Sequence, residues 1–369
     1  FGSRSDFLNP TIRNYEIRKE LNFGARTETS FLLDDSQTSK VTFGAEVQAF
    51  SGPLTVFDNE YGEKGAMQTD DDLASQLGLV FLQAEYDLTP TLLITIGGSL
   101  NMLNYDFTRK FDFAQPQPWL ITRHEKSFKP FFSARVAVLK KLSAAFFLYA
   151  NISRGFSPPS LAEGRPSSNA FNSGLNAERG TNYEWGIRSK LLNEKLAVDL
   201  AGYDFRLRET IIVQRLPDGA DYFVNAGRTS QRGIEALVAY QPLRRSQGTL
   251  SDLRIWNSYT YNHYRFVNYV TDNTDYSGNH LTGVPPTVNT SGVDLMLKQA
   301  LYINATASYV DHVPLNDAND VYANEYLMLG ARLGLRKKIS ERHPLDFFIG
   351  VDNALNKKYS LGNDLNAVF

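Results

Sequence analysis

The side chains best suited to chemistry in this sequence are arginines set close to aromatic residues. Arg154 and Phe156 stand in the stretch SRGFSPPSLAEGRP at 153–166, which also carries Arg165. Arg206 and Arg208 precede Glu209, and Arg228 opens the run RTSQR that ends at Arg232. A guanidinium presents a planar fork of N–H donors that matches carboxylate or phosphate oxygens. Arg206, Arg208 and Arg228 therefore suit contact with an anionic ligand, or form a solvated ladder of charges facing a watery interior; Arg154, Phe156 and Arg165 join the candidate ligand-binding set. His124 and His280, with His312, fall in long polar stretches and add imidazoles to the same candidate set. The five histidines have no metal-binding spacing. Asp70, Asp71 and Asp72 lack the spacing of a calcium loop and read as a solvated acidic loop. Cysteine is absent, which removes disulfides, thiolate metal sites and a cysteine nucleophile. No GxSxG, phosphate-binding loop or dinucleotide fingerprint is present. Nothing here points to an enzyme, and no cofactor is implied.

The elements that must position these residues are strands. Apolar and polar residues alternate with period 2 almost throughout. Leu92, Ile94, Ile96, Leu100 and Met102 oppose Thr95, Gly97, Ser99 and Asn101. Phe146, Leu148, Ala150 and Ile152 oppose Tyr149, Asn151 and Ser153, and Leu327 to Leu335 oppose Gly330, Arg332, Gly334 and Arg336. In KLAVDLAGYDFRLRETII the apolar parity moves from Leu196, Val198 and Leu200 to Tyr203, Phe205 and Leu207. A bulge near Gly202, or a strand passing from one environment to another, gives that switch.

About 14 strands are expected, with boundaries good to a few residues. They span 11–33, 40–58, 74–87, 91–109, 127–139, 143–155, 181–191, 195–212, 222–240, 250–268, 287–297, 300–311, 323–337 and 345–353. Tight links (DDSQTS, DLTP, KKLS, LNEK, KQA) alternate with long ones around 59–73, 110–126, 156–180, 269–286 and 312–322, with 213–221 shorter. That order fits an up-and-down meander with a short-turn end and a long-loop end. A Greek-key sandwich has no reason to keep it. Several runs far exceed the roughly 9 to 11 residues of a tilted membrane crossing. The fold class is all-β: a transmembrane antiparallel up-and-down β-barrel. Charged parity faces a wet interior, and apolar parity faces lipid. A soluble sandwich or propeller is the competing architecture. Pro158-Pro159 ends a strand, and the segment to Gly180 reads as an exposed loop.

The chain has 369 residues and a net charge of -2, which excludes a nucleic-acid-binding field. Aromatic residues make up 12%, in keeping with strands and interfaces. No apolar run approaches the roughly 18 residues of a membrane helix.

Four stretches, in order, resemble the β-barrel of TonB-dependent outer-membrane receptors: SRGFSPPSLAE at 153–163, LNAERGTNYEWGIRSK at 175–190, FVNAGRTSQRGIEA at 223–236 and VDNALNKKYSLG at 351–362. SDFLNPTIRNYE extends the resemblance weakly toward the start. It implies uptake of a scarce bulky ligand, such as a ferric siderophore, across the outer membrane of a Gram-negative bacterium. It also implies a plug inside the barrel that the TonB complex pulls on, and outer-membrane lipid around it. Barrels of about 22 strands form this size class. By that measure residues 1–369 form the C-terminal part of a barrel. The plug and roughly seven early strands lie outside the sequence, and the last strand is missing. A vitamin or oligosaccharide receptor, or a structural barrel subunit without active uptake, remains an alternative.

Overall fold

The computed structural model describes residues 1–10, 14–34, 39–165, 171–215, 221–271, 273–298, 300–340, 343–359 and 365. The chain rises and falls through β1 (Gly2–Pro10), β2 (Asn14–Leu32), β3 (Lys40–Glu60), β4 (Glu63–Thr89) and β5 (Leu92–Asp112). Next come β6 (Thr122–Ser127), β7 (Phe131–Lys141), β8 (Phe146–Ser157), the one-turn helix α1 (Leu161–Gly164), β9 (Glu178–Leu191) and β10 (Leu196–Arg208). After β11 (Ile211–Arg215) and β12 (Asp221–Asn225) the wall resumes with β13 (Arg228–Leu243) and β14 (Leu250–Asn268). β15 (Val270–Thr271) and β16 (Thr274–Asp275) precede β17 (Thr287–Leu297) and β18 (Leu301–Val310). β19 (Val313–Pro314), β20 (Tyr322–Ala323), β21 (Tyr326–Ser340) and β22 (His343–Val351) complete the order.

One antiparallel sheet contains fifteen of these strands in chain order, β1-β2-β3-β4-β5-β7-β8-β9-β10-β13-β14-β17-β18-β21-β22, with β6 beside β5. Each strand pairs with its sequence neighbour in the wall, as an up-and-down meander requires. Alternation decides the faces. Leu21, Phe23, Val80, Leu82, Ile96, Ile152 and Trp185 are exposed, although apolar, and share one face. Their neighbours Glu16, Arg18, Glu20, Gln48 and Asn101 share the other. An exposed apolar face of this extent needs lipid against it.

Three expectations change, and one left open is decided. The strand expected over 11–33 is β2, and a further strand, β1, precedes it, with Phe7 opposite Arg18 and Leu8 opposite Ile17. The long link expected at 59–73 does not exist. β3 and β4 stay paired to Glu60↔Glu63 and turn through Tyr61 and Gly62. Asp70, Asp71 and Asp72 are therefore strand residues, and Asp71 is fully buried. Segment 156–180 is not an exposed loop, because its described residues fold back onto the polar face. Finally, the parity switch near Gly202 needs no bulge. β10 pairs without a break from Leu196 to Arg208 with both neighbours. Above Leu200 the apolar face turns charged (Asp204, Arg206, Arg208), while the opposite face turns apolar (Tyr203, Phe205, Leu207). The strand leaves one environment for another. Residues 360–364 and 366–369, where the final strand is expected to be missing, lie outside the described residues.

Gly227 marks the return from β12 to the wall. Its φ of +67° is left-handed, and a Cβ there would overlap the Asn268 carbonyl oxygen. Gly227→Ala is expected to cost about 2 kcal/mol or more. A lower temperature for losing heat-modifiable gel mobility would report it.

Candidate functional site

At the long-loop end the polar face carries an apolar floor. Leu54 and Val56 of β3, Leu73 of β4 and Phe107 of β5 form a buried cluster. Side chains on the inward face of such a wall normally meet water, so this patch needs a cover. The β8–β9 link supplies it. Ser157 ends β8, the two prolines stop the ladder, and Ser160 opens α1 with a capping box closed by Glu163. Tyr105 donates its hydroxyl to the Pro159 carbonyl. Leu161 and Phe171 then pack on the floor, and the Phe171 ring stacks on Phe107 with centroids 4.7 Å apart. His124 stands in β6 rather than in a loop, with its ring 5.7 Å from Phe171.

A charge cluster pins this roof. Arg165 donates from Nε to Asp71 Oδ2 at 2.9 Å and from Nη2 to Thr69 Oγ1 at 2.9 Å. Arg109 holds the same carboxylate from the other side, Nε to Oδ1 at 2.8 Å and Nη2 to Oδ2 at 3.2 Å. Asp112 takes the Arg109 Nη1 donor at 3.0 Å. Two carboxylates thus balance two guanidiniums. The side chains of Asp71 and Arg165 are 0% and 2% exposed. Burial draws the Arg165 guanidinium below its ordinary value, with Asp71 opposing. An arginine starts so high that it stays charged. Below the roof lies a cavity of about 370 Å³ lined by Arg18, Glu20, Gln48, Phe50, Tyr105 and Arg165 among others.

The next three long links form a second knot. Ala226, Phe266 and Tyr269 are buried together, with Ile212, Tyr276 and Leu281 against them. Buried Asp317 accepts from Tyr269 Oη and Gln214 Nε2, both at 3.1 Å, and from Thr282. Asn172 donates to the Phe223 carbonyl at 3.0 Å, and Asn176 exchanges bonds with Asn225. The two knots are therefore one continuous cover.

His280 sits in the second knot. Its backbone N–H donates to Asn319 Oδ1 at 2.6 Å, and its Nε2 lies 3.0 Å from Arg265 Nη2. Burial first, and Arg265 second, hold its pKa below the ordinary histidine value. Neutral Nε2 accepts from Arg265, whereas a protonated ring would repel it. The folded form thus binds its proton less readily than the unfolded one. Its contribution to stability is complete above the unfolded value of about 6.5 and is lost as pH falls through the lower folded value. Amides of 276–284 should exchange faster as pH falls below the ordinary histidine value of about 6.5, after correction for intrinsic rates, and His280→Asn should flatten that response.

Arg154, Phe156, Arg206, Arg208 and Arg228 are arranged differently. The β8–β9 ladder runs unbroken from Phe146↔Ser189 to Ser157↔Glu178, so Arg154 shares the face of Ile152. Arg206, Arg208 and Arg228 share the face of Leu200 and Val238. Placement in the interior, expected for Arg206 and Arg208, is not what the register gives. Arg154, Phe156, Arg206 and Arg208 line one cavity of about 750 Å³. Lys126 and Lys129, unanticipated from the sequence, join them there with Arg179, which the ladder sets opposite Phe156. Asp71, Arg109 and Asp317 were also missed. Continuing the β4 parity from Ser75 through Leu73 to Asp71 would have placed that carboxylate inside.

Comparison with solved structures finds the same fold at low identity. The siderophore receptor PiuA of Acinetobacter baumannii superposes with a TM-score of 0.73 at 17% identity, over 94% of this chain and 53% of that one. The ferric citrate transporter FecA gives 0.74 at 17% identity, over 97% of this chain and 53% of that one. The ferric yersiniabactin uptake receptor FyuA of Yersinia pestis gives 0.72 at 15%, over 98% and 53%. This chain thus spans about half the length of each. No curated protein sequence matches. A family model described as "TonB dependent receptor-like, beta-barrel" matches residues 1–354, the whole meander described above. The chain belongs to the TonB-dependent receptor-like β-barrel family.

Proposed function

We propose that this chain is the C-terminal part of the barrel of an outer-membrane receptor that imports a scarce bulky ligand, a ferric siderophore. The observation that carries the reading is the cover itself. The long links fold over the interior face, with Arg165 and His280 on them and His124 on the neighbouring strand β6, an arrangement that supports a vestibule above a transport path. The fold neighbours named for ferric siderophores and ferric citrate favour that cargo. The remaining length of such receptors would supply the plug, the earliest strands, the closing strand and the segment that meets TonB.

Deleting the full-length gene and measuring uptake of radiolabelled ferric siderophores under iron restriction tests this. Uptake of at least one should be lost, return with the intact gene, and fail when the energising complex is uncoupled. Unchanged uptake of every ferric siderophore, with loss of cobalamin or oligosaccharide import instead, would reassign the cargo.

A further inference from the structure

We infer that the lipid-side face of β13, β14, β17, β18 and β21 pairs two copies of this chain in the membrane. The first support is a set of polar side chains where the wall meets lipid. The ladders align Tyr259, Asn289 and Tyr309 in one row. The next row toward the short turns holds Val238, Asn257, Ser291, Ala307 and Leu329. The row after that holds Tyr240, Ile255, Val293, Ala305 and Ala331. Residues opposite one another across a ladder share a face. This face exposes Val238, Ile255 and Val293, as a lipid-side surface does. Tyrosines mark the level of the membrane interface. Asn257 and Ser291 thus lie one pleat step inside the apolar band, where acyl chains offer no hydrogen bond.

These groups satisfy one another only in part. Asn257 donates from Nδ2 to Asn289 Oδ1 at 2.7 Å and to Ser291 Oγ at 2.8 Å. Among the described residues, the Asn257 Oδ1 acceptor and the Asn289 Nδ2 donors are left without a hydrogen bond. They stand side by side on β14 and β17. Lipid cannot satisfy them, but a second copy of the same pair does. Two copies of one orientation in a membrane are related by a two-fold axis along the membrane normal, and the interface is then the same patch on both. With that axis over the β14–β17 seam, β14 of each copy faces β17 of the other. Asn289 Nδ2 of each copy then meets Asn257 Oδ1 of the other.

Shape agrees with the same axis. On one side of the seam, Val238 and Tyr240 of β13 and Ile255 and Tyr259 of β14 stand out from the wall, all exposed. On the other side, Ser291, Ala305, Ala307 and Ala331 leave the face low. A cavity of about 640 Å³ lies over them, with Val238 and Ile255 on one flank and Leu329 on the other. The two-fold turns the raised half of each copy onto the low half of the other. Small residues let two membrane-embedded surfaces approach closely, and carboxamides hydrogen-bond across the contact. An acyl chain fills the hollow but leaves the amides unpaired. A second copy supplies the ridge and both polar partners about a single axis.

The test uses the full-length receptor with one fluorophore per copy, in lipid vesicles at a series of protein densities. Single-molecule photobleaching counts the copies in each spot. The parent should bleach in two steps at native density and in one step on dilution. Ala305→Leu with Ala307→Leu fills the hollow and keeps the face apolar. Asn257→Leu with Asn289→Leu removes the amide pair. Each double variant should raise the density needed for half-pairing by about tenfold or more, with heat-modifiable mobility as the check on folding. Ala150→Leu, on the lipid face of β8 away from the seam, should leave pairing unchanged. One-step bleaching of the parent at every density overturns the proposal and leaves the hollow to lipid or to another protein. Unchanged pairing in either double variant, or equal loss with Ala150→Leu, overturns it as well. Siderophore uptake is read separately, so failure here leaves the proposed cargo standing.

Discussion

Replacing Asp71 by alanine is expected to free the β8–β9 link from the floor it covers, at a cost of about 3 to 5 kcal/mol. The carboxylate is fully buried and is shared by Arg109 and Arg165. Removing it leaves Arg109 with Asp112 but strands Arg165, whose side chain is 2% exposed and keeps a hydrogen bond to Thr69. Breaking one side of a buried pair costs far more than the pair contributes against an apolar substitute. The sign of a companion variant follows. Asp71→Leu combined with Arg165→Met should recover most of the loss, because Arg109 keeps Asp112 and the most deeply buried charges are removed together. Limited proteolysis within 158–177 separates the two outcomes. Cleavage should be fast in the single variant and slow in the double. Equal resistance of Asp71→Ala and the parent would show that Leu161 and Phe171 hold the cover by packing alone.

The second large effect is at Asp317. Its carboxylate, on the β18–β21 link, collects donors from two other links: Gln214 of the β11–β12 hairpin, and Tyr269 and Thr282 of the β14–β17 link. Burial, reinforced by Asp317, raises the Tyr269 pKa, so its hydroxyl remains a donor. Asp317→Ala leaves several buried donors without that acceptor, at about 1 to 3 kcal/mol each. Hydrogen exchange should therefore accelerate in all three links together. Acceleration confined to 311–323 would mean that the apolar contacts of Phe266 and Tyr269 bind the knot without the carboxylate. Asp317→Asn keeps one acceptor oxygen and should fall between.

The meander, its faces and its two ends were legible in the sequence because period-2 alternation is imposed by water on one side and lipid on the other. Legibility stopped where that contrast stops. Above the apolar band both faces of β3, β4 and β10 meet protein or water, so Leu54, Val56 and Leu73 turn inward and the charges at 70–72 mimic a loop. The same loss of contrast hid β1, where Ser3, Arg4, Ser5 and Asp6 interrupt the pattern. The arginines were found by type, but their face was not, because face depends on register and register depends on the absence of a bulge at Gly202. Asp317 left no local signal. Its importance comes from partners up to 103 residues away.

The paired stem formed by β3 and β4 has a practical consequence. About ten residues of each strand suffice to cross the bilayer. At about 3.4 Å per residue and a tilt near 40°, the rest lifts the Tyr61–Gly62 turn roughly 25 Å clear of the membrane. Tyr61 is 107% exposed, and Gly62 has open space around its Cα. A short peptide epitope spliced between them would ride on a rigid mast. Antibody staining of intact cells would then reveal which end of the protein looks outward, without touching any residue that holds the cover in place.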